Sequence, residues 1–220
     1  MKKTLFLVLT MASTQAMAAG SSSVGFLSNY VFRGAEIDRS VAYASTEYMK
    51  SGFYAGAWAG DTATSEVDFY LGFVADLTKN VKLGLSATAY EYLDDSAGDD
   101  RQTEYTYYAK FGFLSLNYAD GYDRSDFLAG DRAKIDYDFY SVSLGDDSQG
   151  LTLGSTEFEK KSGFDQSGDK TSYIEYHLQG EFEGLDTGLL IGYSEKTEAT
   201  TDEKAKSTYI SIKVSKRFDF

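Results

Sequence analysis

The chain ends in the stretch that decides its fold, Tyr209-Ile210-Ser211-Ile212-Lys213-Val214-Ser215-Lys216-Arg217-Phe218-Asp219-Phe220. Successive side chains of a β-strand point to opposite faces, so this stretch has one apolar face and one polar face. The apolar face carries Ile210, Ile212, Val214, Phe218 and Phe220. The other face carries Ser211, Lys213, Ser215, Arg217 and Asp219. The pattern predicts a strand whose two faces meet different surroundings.

The Phe residue at the end of this strand indicates which kind of β protein the strand belongs to. A final strand that closes on Phe resembles the carboxyl-terminal signature of bacterial outer-membrane β-barrels, which the barrel-assembly machinery reads. The resemblance implies that Phe218 and Phe220 form the assembly signal.

The amino terminus has the pattern of a secretory signal peptide. Lys2 and Lys3 precede an apolar run at 5–12, and Ala16-Met17-Ala18 supplies small residues at the spacing of a cleavage site. We predict a signal peptide at 1–18 and a mature domain at 19–220. A membrane-spanning helix needs about 20 apolar residues, and no later segment approaches that length.

Composition excludes several classes of protein. The chain has no cysteine, which rules out a disulfide framework, a cysteine zinc site and a cysteine nucleophile. It has no proline, as suits strands paired in a ladder, and its 18 Tyr and 15 Phe are typical of barrels with aromatic girdles. A net charge of −13 without a basic patch argues against nucleic acid as a partner.

Alternating segments recur along the chain, and the connections between them alternate in length. The longer, polar connections are 34–39, 60–65, 94–102, 121–132, 160–170 and 196–206. The short ones are 50–52, 78–80, the reversal at Gly112, 145–150 and 183–186. Outer-membrane barrels place short turns on the periplasmic side and long loops outside. We therefore predict an all-β fold, a transmembrane antiparallel up-and-down barrel of about twelve strands.

Two further expectations concern individual strands. The last strand should pair with the strand that contains Val24, Phe26, Tyr30 and Phe32, and Tyr30 and Phe32 should face lipid because they alternate with inward-facing Arg33. In 135–144, Ile135, Tyr137 and Phe139 share one face before Tyr140, Val142 and Leu144 take over the other. Either a β-bulge near Phe139 returns all six to the lipid side, or the first three lie above the membrane.

Two motifs near the amino end carry a family resemblance. They are Ser28-Asn29-Tyr30-Val31-Phe32-Arg33-Gly34 and the Gly-x-Tyr-x-Gly-x-Trp pattern that begins at Gly52 and ends at Trp58. With them the chain resembles the TorF-like family of proteobacterial porins over essentially the whole mature sequence, although Asn29 replaces the acidic residue expected there. The resemblance implies an outer-membrane barrel that forms a pore, and it supplies no substrate.

The same alternation predicts which side chains line the pore. They are Arg33, Asp68, Asp76, Lys82, Lys110, Glu175, His177, Glu181, Lys213 and Arg217. Their mixed signs fit either a modestly selective pore or a lumen plugged by ion pairs. For Arg33, selection of solutes and an internal ion pair are equally open.

His177 is the single histidine, and the chain has no Gly-x-Ser-x-Gly motif, so we expect no enzyme. The adjacent carboxylates 94–95, 99–100 and 146–147 are interpreted as turn formers, and we expect neither a metal nor a cofactor.

The sequence thus predicts a porin of the Gram-negative outer membrane through which small hydrophilic solutes diffuse. Its expected partners are outer-membrane lipid, the barrel-assembly machinery and those solutes, and it should be a monomer or a weak homo-oligomer. The alternatives are a closed barrel that acts as an adhesin or structural protein through acidic outer loops, an outer-membrane enzyme, and a secreted soluble β protein.

Overall fold

The computed structural model describes residues 19–93, 101–125, 133–160, 167–199, 201 and 203–220. The predicted signal peptide and the carboxylates at 94, 95, 99 and 100 lie outside these ranges. Among the residues described, no helix is long and apolar enough to cross a membrane.

The described chain consists of strands, numbered β1 to β12 in chain order. They are Ala19–Phe32, Ala35–Lys50, Phe53–Gly60, Glu66–Thr78, Val81–Tyr92, Arg101–Phe111, Leu114–Ser125, Ala133–Gly145, Gln149–Phe158, Lys170–Phe182, Leu185–Thr197 and Lys204–Asp219. Each strand pairs antiparallel with its neighbours, and β12 pairs with β1 to close the barrel. The predicted all-β up-and-down barrel is confirmed.

The strands are strongly staggered. Stepping from Lys204 in β12 to its paired residue in β11, and from there to the paired residue in each following strand, leads around the barrel to Gly20 in β1. Gly20 exchanges two backbone hydrogen bonds with Phe220. One circuit of the barrel thus returns to the last strand at Phe220 rather than at Lys204. A closed sheet with such a stagger must tilt its strands, typically by about 35–45° from the barrel axis.

The outside of the barrel is apolar. Phe69, Leu71, Leu85, Ile210 and Ile212 are each more than half exposed, and similar side chains continue around the molecule. An exposed apolar surface of this extent in a closed barrel matches the hydrocarbon of a bilayer.

The connections differ from the predicted alternation at two places. β1 and β2 are joined by the tight turn Arg33–Gly34, so 34–39 is not a loop. Residues 121–125 belong to β7, so the next connection is shorter than predicted. The other short turns lie together at the end of the barrel where β1 begins and β12 ends.

In β8, the apolar side chains change faces after Phe139, and neither a β-bulge nor a position above the membrane explains the change. The pairing of β7 with β8 is regular from Leu114 to Ser125, without a bulge. Ile135, Tyr137 and Phe139 point into the lumen, where they are 0%, 2% and 6% exposed. Phe139 contacts Arg33, which belongs to a segment of β1 and β2 that has left the barrel wall.

Candidate functional site

The first hairpin leaves the wall and bends into the lumen near the end of the barrel opposite the short turns. β1 pairs with β12 only as far as Leu27, and β2 pairs with β3 only from Tyr43 onward. Between these points, residues 28–40 form a hairpin that we call the lid. The register of β1 and β2 shifts between Tyr30 and Val31, and Ser40 has a φ of 59°, a conformation that non-glycine residues rarely adopt.

The tip of the lid crosses the lumen. Arg33 contacts Glu104 in β6 and Phe139 in β8, which lie on the opposite side of the ring of strands. A Cβ built on Gly34 would lie 2.6 Å from the Cβ of Tyr173 in β10. Because these partners face the interior, contacts with all three strands place the lid across the barrel.

Arg33 is held in a pocket on the far wall. Its Nη1 and Nη2 lie 2.6 Å and 2.7 Å from the two carboxylate oxygens of Glu104. The Phe139 ring centroid is 3.6 Å from the guanidinium carbon, and that of Phe32 is 4.5 Å away. A planar cation between two rings and a carboxylate combines ion pairing with cation–π attraction.

The wall itself orients Glu104. Tyr137 donates its hydroxyl to one carboxylate oxygen at 2.9 Å, and Thr106 donates to the other at 3.0 Å. Gln102 in turn donates to the Tyr137 oxygen at 2.5 Å. Glu104 therefore keeps its position through residues of β6 and β8 that do not belong to the lid.

A second carboxylate binds the lid from the other side. Glu175 in β10 accepts a hydrogen bond from the Tyr209 hydroxyl at 2.8 Å and another from the backbone N–H of Gly34. Glu104 thus holds the lid tip through the side chain of Arg33, and Glu175 holds it through the backbone of Gly34.

Aromatic packing covers the remaining side of the lid. Tyr30 stacks on Trp58 with centroids 5.5 Å apart, and Trp58 stacks on Tyr43 at 6.0 Å. Phe32 and Val41 join the same buried cluster. Two acidic side chains of β4, Glu66 and Asp68, are buried beside it.

Between the lid and the end of the barrel that carries the short turns, the lumen is hollow. Two cavities of about 350 and 250 Å³ lie there, and both are lined by Tyr54, Tyr70 and His177. Their other walls carry many hydroxyl and charged groups, among them Ser45, Ser211 and Lys213 around the first. This half of the barrel is polar and has room for water or a small solute.

The family model described as "Bacterial protein of unknown function (Gcw_chp)" matches residues 11–219. The chain belongs to this family. Curated proteins show no match.

Solved structures similar to this Gcw_chp chain are barrels. The NanC porin is 10% identical, with a TM-score of 0.51 over 89% of this chain and 97% of that one. A structure from work on the in-meso crystallization of membrane proteins is 11% identical, with a TM-score of 0.55 over 92% and 84%. OccAB3 of Acinetobacter baumannii is 10% identical, with a TM-score of 0.46 over 89% of this chain. The matched part spans 60% of the length of OccAB3. At such identities the likeness concerns the fold.

The structure separates the predicted pore-lining residues of this Gcw_chp barrel into two layers. Arg33, Asp68 and Glu175 lie in the layer of the lid. The others lie below it.

In the lower layer, Lys82 is 3.0 Å from Asp76, and Lys110 is 3.6 Å from Asp147. The Nε2 of His177 lies 3.1 Å from the carbonyl oxygen of Asp146. Lys213 and Arg217 line the cavity of about 350 Å³, and Glu181 is exposed at the carboxyl-terminal end of β10. Across the described ranges, no group of three or more His, Asp and Glu side chains is placed to hold a metal ion.

The remaining sequence predictions concern turns and ends. Asp146 accepts hydrogen bonds from the Ser148 hydroxyl and from the backbone N–H groups of Ser148 and Gln149, which together lower the pKa of its carboxyl group. Phe218 and Phe220 point outward at the end of the barrel that carries the short turns and are 53% and 76% exposed.

Sequence reasoning missed the residues that hold the lid tip. Glu104 was not among the predicted pore-lining residues, although it alternates with Gln102, Thr106 and Lys110 on the polar face of β6. Tyr137 and Phe139 were interpreted as lipid-facing or above the membrane, and they face the lumen. Tyr30 and Phe32, expected on the lipid side, are inside the barrel because the lid has left the wall.

Proposed function

We propose that the protein is an outer-membrane channel of a Gram-negative bacterium, that small hydrophilic solutes diffuse through it, and that the lid gates it. The observation that carries this proposal is the polar, hollow lumen beneath a hairpin that crosses the barrel. A closed barrel satisfies every backbone group without a free edge, as a bilayer requires. Twelve strands enclose a lumen between those of filled eight-stranded barrels and open sixteen-stranded porins.

The finer features belong to the same proposal. Cleavage of residues 1–18 delivers the chain to the periplasm, the assembly machinery recognises Phe218 and Phe220, and the barrel is a monomer or weak oligomer of the TorF-like type. The outward position of both phenylalanines supports recognition from the membrane side.

Single-channel recording in planar bilayers tests the channel. One variant shortens the lid by replacing residues 28–40 with an Asn-Gly turn, since Leu27 and Val41 are paired in the wall. We expect stable conductance from this variant and rare openings from the wild type. Lack of conductance in the shortened barrel, with folding shown by heat-modifiable gel mobility, would contradict the pore.

Two glycines provide a matched test of the gate. Gly34 has a φ of 82°, and a Cβ there would collide with Tyr173, whereas Gly112 has a φ of 61° and nothing lies within 4 Å of its Cβ position. Gly34→Ala and Gly112→Ala share the backbone strain, about 1–2 kcal/mol, and only Gly34→Ala displaces the lid tip. Frequent openings are expected for Gly34→Ala alone. Equal behaviour of the two variants would exclude the lid as the gate.

The second candidate function is a closed barrel that acts as an adhesin or structural protein. At the level of the lid, buried side chains fill the lumen and obstruct the passage of solutes through the barrel, which favours this second function. Deleting residues 126–132, the part of the predicted 121–132 loop beyond β7, would then abolish surface binding without changing permeability. The lid-shortened variant separates the candidates, since a purely structural barrel has no reason to conduct when 28–40 are removed.

A further inference from the structure

The pocket that holds Arg33 is built almost entirely from the barrel wall. Glu104 and Phe139 touch the guanidinium, and Tyr137 and Thr106 orient the carboxylate. Only the Phe32 ring belongs to the lid. When the lid leaves, the pocket therefore keeps its anion, its aromatic face and its hydrogen-bonded support.

Without Arg33, the pocket would contain the carboxylate of Glu104 with no cation to pair with it. The Glu104 side chain is 3% exposed when Arg33 is present, so the departure of Arg33 leaves a carboxylate in a narrow lumen without its cation. Removing one partner of a buried ion pair is strongly unfavourable, and another cation of the same shape restores the balance. The planar guanidinium fits a carboxylate through paired N–H groups in a way that an ammonium does not.

We propose that this pocket is a binding site for solutes that carry a guanidinium group, with Arg33 as its tethered occupant. Such a solute competes with Arg33 for Glu104 and Phe139, and its binding holds the lid open. The inference rests on the proposed channel and names the class of solute that the channel takes.

Competition between Arg33 and a free guanidinium solute predicts how the affinity for L-arginine changes when Arg33 is replaced. A tethered group is present at high effective concentration, so Arg33 weakens the apparent affinity for any free competitor. Arg33→Gln removes the guanidinium and leaves Glu104, Tyr137 and Phe139 in place. This variant should bind L-arginine more tightly than the wild type by at least about tenfold, since charge-assisted contacts are worth more than neutral ones.

Isothermal titration of the refolded protein in detergent tests the site. L-arginine is the probe, and L-citrulline, its uncharged counterpart of similar shape, is the matched control. Arg33→Gln/Glu104→Gln should lose at least about tenfold in arginine affinity relative to Arg33→Gln, as expected for a lost charged partner. Arg33→Gln/Asp147→Asn should keep it, because Asp147 pairs with Lys110 in the lower layer.

A second readout follows the lid itself. Trp58 is the single tryptophan of the chain and stacks on Tyr30 of the lid at 5.5 Å. Arginine should change Trp58 fluorescence and raise channel opening in the wild type, and citrulline should do neither.

The outcomes separate this inference from the channel. Equal arginine affinity in Arg33→Gln and Arg33→Gln/Glu104→Gln, or equal binding of citrulline, overturns the guanidinium site even if the protein conducts. Glu104-dependent arginine binding without conductance in the lid-shortened barrel keeps the site and defeats the channel.

Discussion

The Arg33–Glu104 pair allows a prediction of how far a single substitution moves the lid. Glu104→Gln leaves the guanidinium, whose side chain is 10% exposed, without its carboxylate. Breaking a buried pair from one side costs about 3–5 kcal/mol. Each 1.4 kcal/mol is about a factor of ten, so the lid equilibrium should shift toward open by roughly 10² to 4 × 10³. The Tyr30–Trp58 stack, worth about 0.5–1.5 kcal/mol beyond its buried area, is too weak to offset this loss.

The double substitution Arg33→Gln/Glu104→Gln tests the reasoning. It removes both charges and leaves two amides that hydrogen-bond to each other, so the lid should close again relative to Glu104→Gln. The assay is single-channel open probability, with quenching of Trp58 by acrylamide as an independent measure of lid displacement. Asp147→Asn is the control, because its pair with Lys110 spans 3.6 Å and Asp147 is half exposed, where ion pairs contribute about 0–1 kcal/mol.

The reasoning fails if Glu104→Gln keeps the lid as closed as the wild type. It also fails if the double variant opens as often as Glu104→Gln, because the penalty would then not arise from an uncompensated charge.

Three other predictions concern assembly and stability. Phe220→Ala should reduce the yield of heat-modifiable barrel in outer-membrane fractions, because the exposed terminal ring is the proposed assembly signal; an unchanged yield would remove Phe220 from that signal. Tyr209→Phe deletes a hydroxyl donor to buried Glu175 and should lower the free energy of unfolding in urea by about 1–3 kcal/mol; a change below about 0.5 kcal/mol would mean that water replaces the donor. The pKa of Asp146 is lowered from its ordinary 3.8 by its bonds in the turn, so this carboxylate stabilises the fold above that pH and the contribution disappears as the pH falls through the lowered pKa. Asp146→Ala should therefore melt below the wild type at pH 7 and together with it in strong acid, and a difference that persists in acid would point to another cause.

The alternation of side chains was sufficient to predict the barrel wall. In β12, Ile210 and Val214 face outward while Lys213 faces the lumen, as the period of two requires. The strand order followed from the short turns, because antiparallel neighbours in sequence become neighbours in the sheet.

The lid could not be predicted from the same pattern. Tyr30 and Phe32 continue the face of Val24 and Phe26 with a period of two, as in any lipid-facing strand, and local sequence does not say that a strand leaves the sheet. The signal lay more than 100 residues away in sequence, in the inward phase of Ile135, Tyr137 and Phe139, since apolar side chains inside a polar lumen need an apolar partner.

The ion pair of the lid was likewise inaccessible from one sequence. Arg33 and Glu104 are separated by 71 positions, and only the register of the intervening strands decides that they meet. The prediction that Arg33 faces the interior required the phase of one strand, whereas naming its partner required the geometry of the whole ring.

The base of the lid is bonded to the seam of the barrel. The backbone N–H of Ile212 donates to the Ser28 hydroxyl at 2.9 Å, and the Ser211 hydroxyl donates to the carbonyl oxygen of Asn29. Since β1 and β12 are the two ends of the chain's sheet, their joining is the step that completes the cylinder. The residues beside the seam therefore also anchor the base of the lid, so in the channel that we propose the closure of the barrel and the attachment of its lid share one set of bonds.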